Sequence, residues 1–191
     1  MCDEIHADFV YRPGTFVSIL AVPEGRKRAV MLCSASKTFN IAGLQQAAMV
    51  CKNPDMLSAL RKELSEAGVT SGNTFAVQAT RAAYTQCDDW LDGLVEYLDG
   101  SRKLLADWMA QYVPKARITP IEATYLAWID LSAYGMTCEE MAKRCKASGV
   151  ALTGGTFFGQ EGEGFMRVNF ACPRIQLLEG IKRMGQAFKE E

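Results

Sequence analysis

The order of elements predicts an α/β chain made of two bodies. Three observations lead there. Short β-rich runs alternate with helical periods over the first half, one helical period then continues unbroken from Asp88 to Tyr112, and beyond it the pattern turns to alternating strands flanked by two further helices. About 25 residues at ~1.5 Å each make a rod of nearly 40 Å. A helix that long in a chain of 191 residues suits a bridge between two bodies. The boundary is expected near Asp99–Arg102, giving a first body over residues 1–99 and a second over 100–191.

Taken in order, Cys2-Asp3-Glu4-Ile5-His6 reads as the end of a strand entering a loop, although only Met1 precedes it. Phe16–Val22 and Ala29–Cys33 are short stretches, β-rich or ambiguous in pattern. The second opens directly onto Ser34-Ala35-Ser36-Lys37, which puts Lys37 just past a strand end. Asn53-Pro54 is an N-cap with proline at the first helical position, and Met56, Leu57, Leu60 and Leu64 recur at helical spacing until Gly68. A second helix spans Thr74 to Gln86. The third carries Trp90, Leu91, Leu94, Leu98, Leu105, Trp108 and Tyr112 until Pro114 forbids continuation.

After it, Tyr125–Asp130 reads as a strand, and a capping box at Thr137 and Glu140 opens a helix that Gly149 closes. Val150–Thr153 reads as another strand. Gly154 to Gly164 holds five glycines, but a phosphate cradle needs a helix N-terminus after it and here a strand follows. The segment reads as a mobile or close-packed loop. In Phe165–Phe170 the alternation sets Met166, Val168 and Phe170 on one face and Arg167 and Asn169 on the other. An arginine on a rigid strand suits fixed recognition of an anion. Pro173 starts a final helix, with Ile175, Leu178, Ile181, Met184 and Phe188 on its apolar side.

Composition narrows the function classes. Lys and Arg total 21 against 22 Asp and Glu, for a net charge of -1 and an isoelectric point near 5.9. No basic field exists to hold nucleic acid nonspecifically. No apolar run approaches the ~20 residues of a spanning helix, and the first residues lack the regions of a signal peptide, so no membrane partner and a cytoplasmic location are expected. The seven cysteines form no C-x-x-C pair and have only His6 to join them, so no metal is expected. In a reducing compartment they serve as small apolar side chains.

Singly, a lysine after Ser-x-Ser is ordinarily a surface cation, an Asp-Glu pair a solvated loop, and a strand arginine the partner of a structural carboxylate. Their order is more telling. Three blocks carry a resemblance: Asp3-Glu4-Ile5-His6-Ala7-Asp8, then Ser34-Ala35-Ser36-Lys37-Thr38-Phe39-Asn40-Ile41-Ala42-Gly43-Leu44, then Gly162-Glu163-Gly164-Phe165-Met166-Arg167-Val168-Asn169-Phe170-Ala171-Cys172-Pro173-Arg174. With them the chain resembles the fold-type I pyridoxal-phosphate enzymes of the aminotransferase class I/II superfamily, and most closely its MalY/PatB-type C-S β-lyases. Tyr125-Leu126-Ala127-Trp128 is a weaker fourth block.

The resemblance implies an aspartate aminotransferase fold, with a truncated large domain and an α+β small domain, and pyridoxal 5'-phosphate as cofactor. It implies that Lys37 forms the internal Schiff base and shuttles the Cα proton, a task for an amine whose pKa is depressed by a cationic, partly desolvated pocket. Asp3 would face the pyridine nitrogen and keep it protonated. His6 stands where many aminotransferases have a tyrosine bonded to the cofactor's phenolic oxygen. Ser34 and Ser36 would serve the phosphate, Ser34 ahead of Ser36. Gln45 replaces a phosphate-pairing arginine of many aminotransferases, as in the lyase branch. Arg167 would clamp the substrate α-carboxylate, whereas Arg174, at the first turn of a helix, is expected to tie loops together.

The implied reaction is β-elimination from cystathionine or another cysteine S-conjugate, releasing thiol, pyruvate and ammonia. The alternative on the same residues is transamination. An alternative of another class is a noncatalytic interaction or regulatory domain that retains the residues. Members of the family carry a large segment before the Asp3 block, including a glycine-containing phosphate turn and an aromatic that stacks on the cofactor ring. The expectation is therefore a C-terminal half of a lyase whose isolated form binds cofactor weakly, within a family in which homodimers are expected.

Overall fold

The computed structural model describes residues 1–69 and 72–189. The chain divides into two compact units, Met1–Val95 and Glu96–Glu191. The division falls inside the long helix.

The first unit contains β1 (Cys2–Asp3), α1 (Pro23–Arg28), β2 (Val30–Cys33), β3 (Ala48–Cys51), α2 (Pro54–Glu66), α3 (Thr74–Gln86) and the start of α4 (Asp88–Tyr112). Its sheet runs β1-β2-β3. Strand β1 lies parallel to β2, with Cys2 opposite Met31 and Asp3 opposite Leu32, and the Glu4 N–H continues the ladder to the Leu32 carbonyl at 2.9 Å. Strand β3 is antiparallel to β2; the sequence pattern passes over it because four residues carry too little alternation.

Phe16–Val22, a stretch whose composition leaves strand or another form open, joins no sheet among the described residues. Ser18 Oγ instead accepts the Leu20 N–H and caps a single 3-10 turn at Ile19–Ala21. Pro23 then stands at the first position of α1, a place its fixed φ suits and where its missing N–H costs nothing. Helix α2 begins as its sequence indicates: Asn53 Oδ1 accepts the N–H groups of Asp55 and Met56. Past its end, Gly68 takes a φ of +74°, the left-handed geometry in which glycine has no steric cost.

The second unit adds β4 (Arg117–Ile118), β5 (Leu126–Asp130), α5 (Cys138–Ala147), β6 (Thr153–Gly154), β7 (Phe165–Asn169) and α6 (Arg174–Ala187). The sheet order is β4-β5-β7-β6, antiparallel throughout. Alternation along β7 buries Met166 and Val168. The Thr137 and Glu140 capping box is formed on both sides.

Two expectations need correction here. Val150–Leu152 is not strand, because the Val150 N–H closes the end of α5 on the Cys145 carbonyl; pairing begins only at Thr153. Ile175 is 80% exposed. The buried stripe of α6 is Leu177, Ile181, Met184 and Phe188, and Ile175 lies roughly 200° around the helix from Leu177. The five-glycine segment takes the close-packed of its two expected forms. It folds as two 3-10 turns, Gly155–Phe158 and Gln160–Gly162, whose backbones approach so closely that a Cβ on Gly155 would collide with the Gly162 carbonyl and the reverse.

The two units differ in their interiors. Of 24 buried apolar residues among those described, six (Phe9, Tyr11, Val30, Ala35, Ala76, Ala83) belong to the first unit and the rest to the second. Phe16, Val17, Phe75, Val77, Tyr84 and Trp90 of the first unit are all at least 45% exposed. That is a large apolar surface for one unit to leave in water.

Candidate active site

Parallel strands of α/β sheets present ligands at their carboxyl ends, where the chain leaves the ladder and backbone groups are free to turn. In the first unit, β1 ends at Asp3 and β2 at Cys33, side by side in register. Their exits carry Asp3 and His6 on one strand and Ser34, Ser36 and Lys37 on the other.

Asp3 is exposed, and its Oδ1 accepts the Ile5 N–H at 3.0 Å. This turn fixes the carboxylate at the strand end. His6 is half-buried. Burial first, and then the positive charge of Lys37, hold its imidazole below its ordinary range, while Asp3 acts in the opposite sense. Asp3, His6 and Lys37 therefore share one electrostatic neighbourhood.

Ser34 is buried. Its Oγ donates to the Gln46 carbonyl at 2.5 Å, accepts the Ser36 N–H at 3.1 Å and lies 2.7 Å from Ser36 Oγ. The single Ser34 proton is thus committed to Gln46, and the half-buried Ser36 is the more open hydroxyl of the two. From Ala35 the chain turns, with the Phe39 N–H on the Ala35 carbonyl and the Ile41 N–H on that of Ser36. Ala35 and Thr38 face inward at 1% exposure each. Lys37, between them, is exposed. Gln45 is exposed and left-handed at φ 54°.

Arg167 stands in the second unit at the centre of β7, between Trp128 on β5 and Thr153 on β6. Its guanidinium carbon lies 4.9 Å from the centre of the Phe158 ring, and Nη2 donates to Thr153 Oγ1 at 3.5 Å. Phe158 meets Trp128 edge to face, and Trp128 stacks on Phe165. A cation held over an aromatic face, with no carboxylate paired to it among the described residues, is prepared for an external anion. Beside it opens a cavity of about 490 Å³, lined by residues that include Thr153, Asn169, Cys172, Gln176 and Arg183.

Arg174 has a different task. Its guanidinium lies 4.6 Å from the centre of the Tyr97 ring, and its backbone N–H donates to the Tyr97 hydroxyl at 3.0 Å. It ties the start of α6 to α4. Reasoning from sequence misses three contacts: the buried Glu4 carboxylate on the Ile19 N–H at 2.7 Å, the Thr38 hydroxyl on Asp8, and Phe158 over Arg167. A polar residue's burial leaves no periodic mark in a sequence, although the Phe157-Phe158 pair beside a strand arginine is a usable signal.

A carboxylate, an imidazole, two hydroxyls and an amine thus stand at the exits of the parallel strands of the first unit, and the second unit carries its own strand arginine. The profile of the aminotransferase class I and II family matches residues 1–184, and the chain belongs to that family. It is 35% identical over 97% of its length to cystathionine beta-lyase PatB of Bacillus subtilis, covering 48% of that protein. It is 33% identical over 98% of its length to the protein MalY of Escherichia coli, again covering 48%. Among solved structures, cystalysin from Treponema denticola, which contains pyridoxal 5'-phosphate, matches with a TM-score of 0.92 at 28% identity, over 97% of this chain and 48% of that one. The PLP-bound C-S lyase from Staphylococcus hominis matches with a TM-score of 0.86 at 32% identity, over 97% and 49%. The fold is that of these pyridoxal-phosphate proteins. The chain spans about half the length of the curated relatives it matches.

Proposed function

We propose that this chain is the lysine-bearing half of a pyridoxal-phosphate-dependent carbon-sulfur β-lyase acting on cystathionine or a related cysteine S-conjugate. The observation that carries this reading is the grouping of Asp3, His6, Ser34, Ser36 and Lys37 at two adjacent strand exits, in a chain 35% identical to a cystathionine beta-lyase. In this reading residues 1–99 are part of the cofactor domain and 100–191 the small domain. A cytoplasmic homodimer is the form expected of the whole protein.

The donor set fits the cofactor. An exposed amine, a carboxylate with one oxygen outside its turn, a partly desolvated imidazole and a hydroxyl pair match an aldehyde, a pyridinium, a phenolic oxygen and a phosphate in turn. When bound, pyridoxal phosphate supplies the aldehyde that captures amines and the ring that takes up electrons released at Cα. Lys37 Nζ would be the amine that holds the cofactor and, when free, the base that accepts the Cα proton. The Asp3 carboxylate keeps the proton on the ring nitrogen. His6, neutral because its pKa is lowered, orients the phenolic oxygen by a hydrogen bond. With the Ser34 proton on the Gln46 carbonyl, Ser36 Oγ donates to Ser34 Oγ, so each hydroxyl would serve the phosphate by giving up its present acceptor. Arg167 would hold the substrate carboxylate in a two-pronged bond, a task its planar guanidinium suits.

A second reading, transamination, is favoured by one finding: the chain is 29% identical over 187 residues to an LL-diaminopimelate aminotransferase of Nitratidesulfovibrio vulgaris. The assay that separates the two uses a polypeptide of full family length containing this sequence. L-Cystathionine should yield pyruvate, ammonia and thiol in equal amounts, with no keto acid formed from glutamate. Glutamate-dependent keto-acid exchange without pyruvate would contradict the lyase reading. Robust pyruvate release by the 191-residue chain alone would contradict its incompleteness.

A further inference from the structure

We propose that Thr38 and Asp8 form a positioning pair for Lys37, in which the buried Thr38 hydroxyl ties the lysine turn to the loop carrying Asp3 and His6. The inference rests on the reading of Lys37 as the cofactor-binding amine and adds to it the device that holds that amine in place.

Thr38 is 1% exposed, and a buried hydroxyl must find a partner. It donates to Asp8 Oδ2 at 2.6 Å across 30 residues of sequence, a short bond of the charge-assisted kind. Asp8 is half-buried, and no cation pairs with it among the described residues. A valine of the same shape at position 38 would fill the same space without requiring a carboxylate beside it, so packing alone does not explain the pair.

Its location supplies the reason. The Asp3–Phe9 segment is a series of turns, with the Ala7 N–H on the Glu4 carbonyl and the Phe9 N–H on the His6 carbonyl. One end is fixed by the β1–β2 register and by the Glu4 carboxylate on Ile19. The Asp8 to Thr38 bond fixes the other end, directly against the residue after the lysine. On the far side Phe39 packs against Tyr84 and Trp90, with ring centres at 5.8 and 5.6 Å. Lys37 thus projects from a turn clamped immediately behind it. Displacements of ~1 Å at a reacting group can cost roughly a hundredfold in rate, so a bond that registers the amine against Asp3 and His6 has chemical value.

The test mixes the 191-residue chain with pyridoxal 5'-phosphate. It follows the rate of imine formation by absorbance and locates the adduct by borohydride reduction and peptide mapping. The variants are Thr38→Val, Asp8→Ala, their double, and Thr38→Ser. Each single variant should slow labelling of Lys37 roughly tenfold, and the double should be no slower than the worse single, since both remove one bond. Thr38→Ser, which keeps the hydroxyl, should stay within about twofold of the parent, and labelling of the exposed Lys62 should be the same in all. Should Asp8→Ala fail to fold, as judged by circular dichroism, Asp8→Leu takes its place in the cycle. Losses that multiply in the double, or a Thr38→Val chain that labels like the parent, would overturn the pair. A parent chain labelled elsewhere than Lys37 would overturn the lysine assignment itself, and the pair with it, before any variant is read.

Discussion

His6 is the only histidine in the chain, so its proton resonances give one titration curve. That curve should have its midpoint below 6.5, because burial and the neighbouring Lys37 disfavour the cation. Lys37→Ala should raise the midpoint, and Asp3→Asn should lower it further. The linkage to stability has a definite sign. A base with a depressed folded pKa favours folding fully above its unfolded value near 6.5, and this contribution is lost as pH falls through the folded value. The urea midpoint should therefore drop between pH 7 and 5.5, and His6→Gln should flatten the drop. A second residue-scale prediction concerns Cys145, whose thiol burial pushes up to about 11. Iodoacetamide at pH 8 should leave it unmodified in the folded chain and alkylate it in urea. At this scale the strand-end positions of Asp3 and Lys37 and the mid-strand position of Arg167 are legible in the sequence, the first two from the motifs that follow short apolar runs and the third from the alternation along β7. The Thr38 and Glu4 contacts are not, because they join segments distant in sequence through burial.

At the level of elements, legibility follows the length of the period and the presence of caps. Helices α2, α3 and α4 and the Thr137 capping box carry many repeats or specific cap chemistry, and they stand where the sequence puts them. The misses are short. Ile19–Ala21 and Val150–Leu152 are β-rich by composition, but Glu4 and Ser18 take the N–H groups of the first and the end of α5 takes the Val150 N–H of the second. In α6 the sequence stripe began at Ile175, whereas the burial stripe begins at Leu177. Ile175→Ser should accordingly change stability by no more than ~0.5 kcal/mol, and Leu177→Ala should cost about 2–5 kcal/mol. Chemical denaturation of the two variants checks both. The reverse order of effects would show that the apolar face of α6 lies at Ile175 instead.

Across the whole molecule, the contrast between the units matters most. The second unit has a four-stranded sheet and buried residues on both α5 and α6, while the first has three short strands, six buried apolar residues among those described and several exposed aromatics. Amide exchange should therefore be slowest in β5, β7 and α6 and faster in β1–β3; equal protection of both sheets would contradict the contrast. Composition could not reveal it, because a balanced charge and 49% hydrophobic residues describe a complete domain and half of a larger one equally well. The order of motifs and the 48% coverage of relatives are what bear on the point. The central claim is that Lys37 is the amine that takes pyridoxal phosphate, and borohydride reduction of the cofactor-treated chain followed by peptide mass mapping tests it most directly. The account predicts a reduced adduct on the peptide containing Lys37, lost in Lys37→Ala; an adduct spread over surface lysines, unchanged in that variant, would contradict it.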